Sequence, residues 1–262
     1  MTATDQVLHS GMCSVTLRRE PALTVLDVAA RAGLRRVEWG GDVHVPPGDT
    51  RAAALVRAAS QDRGVEVASY GSYFRAGADP DEDFAPVLAS AVALGAPRIR
   101  IWAGTLGSAE ASAEQRRAVV RSSRAAAEQA AAVGVELAFE YHSGTLTDTA
   151  ESTLRLLADV DHPAVRTYWQ PPLDLPDAAA VADLRQVLPW VDAVHVFSWW
   201  PGYHRLPLTA RDRLWRDVFA ELRGAGRDFD TLLEFVIDDD PARVATEAAS
   251  LAQLITADRH DG

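Results

Sequence analysis

Four polar residues each close an apolar run: Glu140 in Phe-Glu-Tyr-His, Gln170 in Tyr-Trp-Gln-Pro, His195 in Val-His-Val-Phe and Glu234 in Leu-Leu-Glu-Phe. Two carboxylates, an amide oxygen and an imidazole make a hard, oxygen-rich donor set. It suits Mn²⁺, Mg²⁺ or Co²⁺ better than a closed structural zinc site, and it leaves room for water or a substrate oxygen. A single polar residue after a strand is often a cap or a loop residue. Four of them set into apolar runs are costly to bury without a partner, which favours a shared ligand. His142 lies two positions beyond Glu140, on the same side of an extended chain, and can reach a substrate hydroxyl or steady the carboxylate. Other candidates for substrate contact sit at or just past the ends of similar runs: His44, Tyr70, Trp102, Trp199 and Arg205. Tryptophans at 39, 102, 169, 199 and 200 offer faces on which a sugar ring can stack.

Such residues converge only if their runs lie side by side and parallel. β-like runs centre on 11–15, 36–39, 65–70, 98–102, 135–141, 165–169, 193–197 and 232–237. Helical patterns fill the intervals at 22–32, 50–62, 81–94, 113–133, 149–158, 177–188, 209–223 and 241–255. Gly33, Gly64, Gly95, Gly134 and Gly224 fall where helices should end. Eight strand–helix units in 262 residues average about 33 residues each, enough for a helix to cross back to a parallel neighbour. The strand runs are continuously apolar rather than alternating, as strands covered on both faces require. No Gly-x-Gly-x-x-Gly follows the first run, which weighs against a dinucleotide-binding open sheet. No Pro/Gly/Ser-rich linker divides the chain. The expected architecture is therefore a (β/α)8 TIM barrel formed as a single domain over residues 1–262, with its active site at the C-terminal ends of the strands.

Composition narrows the chemistry further. Acidic residues outnumber basic ones, 37 to 26, for a net charge of −11, which argues against nucleic acid as a partner. Cys13 is the single cysteine, so no intramolecular disulfide or Cys-based zinc cluster is available, and a reducing cytoplasmic setting is expected. Residues 1–10 lack the layout of a signal peptide, and no apolar run approaches the ~20 residues that span a bilayer. Lysine and asparagine are absent. Without lysine there is no Schiff-base aldolase, no pyridoxal-phosphate catalysis and no P-loop.

Four phrases carry a resemblance: Val-Glu-Trp-Gly-Gly-Asp-Val-His-Val-Pro (37–46), Ser-Tyr-Gly-Ser-Tyr (69–73), Arg-Ile-Trp-Ala-Gly (100–104) and Phe-Glu-Tyr-His-Ser-Gly-Thr-Leu-Thr-Asp-Thr (139–149). Together they resemble the sugar phosphate isomerase/epimerase family, within the xylose-isomerase-like barrel superfamily. The resemblance implies one divalent metal, Mn²⁺ first, with Mg²⁺, Co²⁺ and Zn²⁺ as alternatives. It places the metal ligands Glu, Asp, His and Glu on Glu140, Gln170, His195 and Glu234, so Gln170 departs from the pattern and removes one negative charge. It also implies that Glu140 and Glu234 trade a proton beside a metal-chelated carbonyl. The expected activity is isomerisation or epimerisation of a keto sugar or related polyol. A lyase on the same scaffold, either an inosose-type dehydratase or a 3-keto-glycoside eliminase, is the alternative, and a non-catalytic carbohydrate-binding protein a further one. DNA repair of the endonuclease IV type is excluded, because strands 3 and 4 supply no histidines for further metals. The Asp-rich loop after strand 8 disfavours phosphate, and family analogy suggests a homodimer without membrane contact.

Overall fold

The computed structural model describes residues 7–78 and 83–257. Among the described residues there are ten strands: β1 (Leu8–Cys13), β2 (Arg36–Gly40), β3 (Glu66–Arg75), β4 (Arg98–Trp102), β5 (Glu136–Phe139), β6 (Val165–Trp169), β7 (Val191–Val196), β8 (Ser198–Trp199), β9 (Arg205–Leu206) and β10 (Phe229–Leu233). Eight of them close into a parallel barrel in the order β1-β10-β7-β6-β5-β4-β3-β2, while β8 and β9 form a small antiparallel hairpin. Helices α1 (Ala22–Arg31), α2 (Thr50–Asp62), α3 (Ala85–Leu94), α4 (Ala113–Ala131), α5 (Ala150–Val160), α6 (Asp177–Val187), α7 (Asp212–Gly224) and α8 (Pro241–Thr256) alternate with the barrel strands. This is the (β/α)8 barrel expected from the apolar runs.

Local differences from the sequence-based elements have physical causes. The first strand ends at Cys13 because Ser14–Leu17 tightens into a 3-10 turn. The last strand stops at Leu233, since Phe235 adopts a left-handed φ of 61° that no ladder accommodates. Helix α3 starts at Ala85; the portion expected at 81–82 lies outside the described residues. Residues 208–211 form a 3-10 turn before α7 rather than its first turn. The 198–206 hairpin has no periodic signal in strands of two residues each.

Alternation along each strand sorts the side chains. Ile99, Ile101, Leu137, Phe139, Trp169, Val194 and Val196 join the apolar layer that packs with the helices. Ala68, Ala138, Tyr168, Ala193 and Leu232 form a separate inner cluster with Cys13. Below that layer, at the N-terminal end of the strands, Asp230 is 3% exposed and bonds Arg36 at 2.5 Å and Arg98 at 3.4 Å. Asp192 collects Arg98, Arg166 and Arg227 nearby. This ionic floor closes the barrel away from its functional end. The variant Asp230→Asn keeps the shape but leaves two partly buried guanidinium groups short of charge, so unfolding should become easier by about 2 kcal/mol. Urea titration monitored by circular dichroism checks it, and an unmoved midpoint would refute the assignment.

Candidate active site

The strands deliver their polar residues to the opposite, C-terminal end of the barrel. His195, on β7, is fully buried. Its Nδ1 lies 3.0 Å from Gln170 Oε1 and 3.2 Å from Glu234 Oε2, so three of the expected residues meet at one point. Its Nε2 lies 3.5 Å from Glu38 Oε1, and the Tyr168 ring packs edge-on at 5.2 Å. The Cys13 thiol completes the surroundings: ligand atoms of Cys13, His195 and Glu234 lie within 4.8 Å of one another.

Glu38, on β2, accepts a 2.7 Å bond from Ser69 Oγ and a 3.1 Å bond from Arg100 Nε. The same guanidinium, on β4, forms an ion pair with Glu140 Oε2. Glu140 has a firmly held backbone, with its N–H on the Ile101 carbonyl at 2.9 Å and its own carbonyl accepting from Thr147 Oγ1 at 2.5 Å. Glu234 is set by the turn behind it, where Thr16 Oγ1 donates to the Leu233 carbonyl and accepts from the Phe235 N–H. All these charged groups are buried.

Burial and partners pull the protonation states in opposite directions. Burial pushes the Glu38 carboxyl up, but Arg100 and His195 override it and hold the group well below the usual carboxylate range. Glu234 follows the same pattern, with His195 the main opposing partner, and ends below its ordinary value. Burial disfavours the His195 cation, yet Cys13 and Glu234 raise the imidazole well above its usual value. Burial pushes the Cys13 thiol up to about 12, so it stays protonated.

The donor set fits a divalent cation. In an octahedral shell with bonds near 2.1 Å, neighbouring ligand atoms stand about 3.0 Å apart. The Nδ1 to Oε1 and Nδ1 to Oε2 spacings are 3.0 and 3.2 Å. Charge agrees with spacing. Glu38, Glu140 and Glu234 oppose one guanidinium, Arg100, which leaves two negative charges in a buried site when His195 acts as a neutral ligand.

Aromatic walls flank this centre. Trp102 stacks on Tyr73 at 6.1 Å and packs against His142 at 4.7 Å, with Arg75 over its face. On the other side, Trp199 packs with Phe197, Tyr203 and Phe235. A cavity of about 170 Å³ lies among His142, Gln170, Phe197, Trp199 and Tyr203. The His142 Nδ1 is bonded to the Ser143 carbonyl at 2.6 Å, which leaves Nε2 as the lone-pair nitrogen. Arg205 pairs with Asp239 and lies over the Phe235 ring at 4.5 Å, fastening the β8–β9 hairpin to the loop after β10.

Other candidates are committed elsewhere. His44 uses both ring nitrogens, on Ser14 Oγ at 2.9 Å and on the Glu20 carbonyl at 3.0 Å. Tyr70 is fully buried and donates to the Val45 carbonyl at 2.7 Å. Trp39 and Trp169 point outward from the barrel into the helix-facing core, so neither is placed for ring stacking. Sequence reasoning passed over Cys13, Glu38 and Arg100 as parts of the centre. Arg-Ile-Arg-Ile-Trp held the signal, since alternation puts both arginines on the inner face while the isoleucines face out.

Comparison with known proteins supports the architecture. A family model described as xylose isomerase-like TIM barrel matches residues 26–172. A curated 3-dehydroshikimate dehydratase from Bacillus anthracis is 35% identical over 104 residues, which span 37% of this chain and 35% of that protein. The aligned stretch is thus about a third of that relative's length. The crystal structure of the probable 3-DHS dehydratase AsbF, involved in petrobactin synthesis in Bacillus anthracis, superposes with a TM-score of 0.77. It is 21% identical and covers 94% of this chain and 99% of its own. An apo 3-keto-D-glucoside 4-epimerase from E. coli superposes with a TM-score of 0.73 at 18% identity, covering 95% and 100%.

Proposed function

The chain belongs to the xylose isomerase-like TIM barrel family, and we propose that it is a divalent-metal-dependent lyase that removes water from a hydroxylated cyclic ketone. Elimination takes precedence over the isomerase or epimerase activity expected from sequence. The observation that carries this is the stretch shared with a 3-dehydroshikimate dehydratase. Two features of the site agree with it. The cavity has room for one substituted six-membered ring, and its lining by Phe197, Trp199 and Tyr203 favours a flat one over an extended sugar chain.

Gln170, His195, Glu234 and Glu140 would hold the cation, with Mn²⁺ the first ion to test and Mg²⁺ the second. A bound divalent cation supplies Lewis acidity to a chelated carbonyl and its developing enolate. Glu140 and Glu234, reaching in from β5 and β10, carry the proton removed from the carbon beside that carbonyl. The C–H bond breaks and its electron pair becomes the new C=C bond. The hydroxyl one carbon further on leaves with a proton as water. His142 accepts a hydrogen bond from a substrate hydroxyl through Nε2, and Trp199 and Tyr203 cover the ring and keep bulk water out.

The test is incubation of the protein with 3-dehydroshikimate and Mn²⁺ in deuterated water, followed by ultraviolet absorbance and mass spectrometry. Loss of water with a new aromatic chromophore is the expected result. Solvent deuterium incorporated without loss of water, together with interconversion of keto sugars, would overturn elimination in favour of epimerisation.

A further inference from the structure

We propose that Arg100 is a positioning residue that holds the Glu140 carboxylate in reserve and yields it to an incoming divalent cation. This rests on the metal-site reading above and goes beyond it, because it assigns a role in cation affinity to a residue outside the ligand set.

Of the four expected ligands, three are already gathered. Gln170 Oε1 and Glu234 Oε2 meet at His195 Nδ1, at 3.0 and 3.2 Å. Among the described residues, the cluster of potential ligands around His195 contains Cys13 and Glu234 and not Glu140. The Glu140 side chain is drawn instead to Arg100.

That guanidinium serves two carboxylates unequally. Glu38 is fixed twice, by Arg100 Nε at 3.1 Å and by Ser69 Oγ at 2.7 Å. Among the described residues the Glu140 carboxylate is tied to Arg100 alone, whereas Glu38 also has Ser69 and His195, so Glu140 is the carboxylate with fewer ties to break. Its backbone is pinned by Ile101 and Thr147, which confines any movement to the side-chain torsions. Arg100 itself has nowhere to go. It is 3% exposed and faces Tyr73 and Trp102. Its Nη2 lies against Gly71, where an added Cβ would sit 2.9 Å from that nitrogen and 2.8 Å from Glu38 Oε1. The bare glycine is what lets the Glu38–Arg100 pair lie flat on β3.

Cation and guanidinium therefore compete for one carboxylate. Drawing Glu140 away leaves a buried donor short of its partner, which lowers the apparent cation affinity. With Arg100 removed, Glu140 is free from the start, and affinity should rise by about tenfold.

Isothermal titration of Mn²⁺ into the wild type, R100Q, E140Q and the E140Q/R100Q double variant tests this. Competition predicts that R100Q raises affinity by about tenfold more when residue 140 is Glu than when it is Gln, where only the lost guanidinium charge contributes. An equal gain in both backgrounds would show that Arg100 acts only through its long-range charge, and no gain at all would show a merely structural role. Either result overturns the proposal. Where R100Q does not fold, as judged by circular dichroism, R100K carries the same comparison, because an ammonium lacks the two-sided fork that spans Glu38 and Glu140. Failure of the wild type to bind Mn²⁺ at millimolar concentration would remove the metal site and this role together, whereas tight binding unaffected by Arg100 would remove this role alone.

Discussion

Turnover in the E140Q and E234Q variants is expected to fall by at least about a thousandfold, with the barrel intact in both. Each change keeps side-chain volume and hydrogen-bonding capacity while removing the charge that takes up a proton. The two variants should then differ from each other. Glu234 already stands at His195 Nδ1, so E234Q strips the charge from a ligand in the gathered group and weakens cation binding as well as catalysis. Glu140 is paired with Arg100, and E140Q releases that guanidinium to Glu38 alone. Its loss should persist at saturating Mn²⁺, which separates proton transfer from metal loading. Steady-state kinetics across a Mn²⁺ series measures both. Near-normal kcat in either variant at saturating metal would end its assignment as the proton carrier.

Position rather than residue type made this pair visible in the sequence. A buried parallel strand shows one face to the helices and the other to the barrel lumen, so Phe139 and Glu140, or Val194 and His195, must part company. Eight such runs with helices between them have few topologies available. The N-terminal floor was hidden for the converse reason. Arg98 and Arg100 share the inner face of β4, yet Arg98 joins Asp230 below and Arg100 joins Glu38 and Glu140 above. Which arginine serves which end depends on strand register around the closed barrel, and that is a property of all eight strands together. Cys13 was hidden because its neighbours His195 and Glu234 are more than 180 residues away along the chain. His44 and Tyr70 illustrate the opposite limit. Their types suit substrate recognition, but Ser14 and Glu20 after β1 take up the His44 nitrogens, and Val45 after β2 takes up the Tyr70 hydroxyl. Sequence shows that a donor exists and not whether the fold has already given it a partner.

Gln170→Asp is expected to tighten Mn²⁺ binding by about ten- to a hundredfold, that is by about 1–3 kcal/mol. In the wild type, with His195 as a neutral ligand, three buried carboxylates and Arg100 leave two negative charges, which one divalent cation balances. An aspartate at 170 adds a third uncompensated charge beside Glu234, and the cation then binds a centre of greater negative charge. The metal-free protein should suffer for the same reason, because the new carboxylate is held against Glu234 with only His195 between them. The gap between the melting temperatures of the metal-free and Mn²⁺-loaded forms should therefore widen in the variant. Activity need not follow affinity, since a cation better compensated by its ligands polarises a carbonyl less and binds ground and transition states alike. If Gln170 only accepts a hydrogen bond from His195 and stays outside the coordination shell, calorimetry will return the same Mn²⁺ affinity for both proteins. The amide would then serve to orient the imidazole, and the cation would rest on His195, Glu234, Glu140 and water.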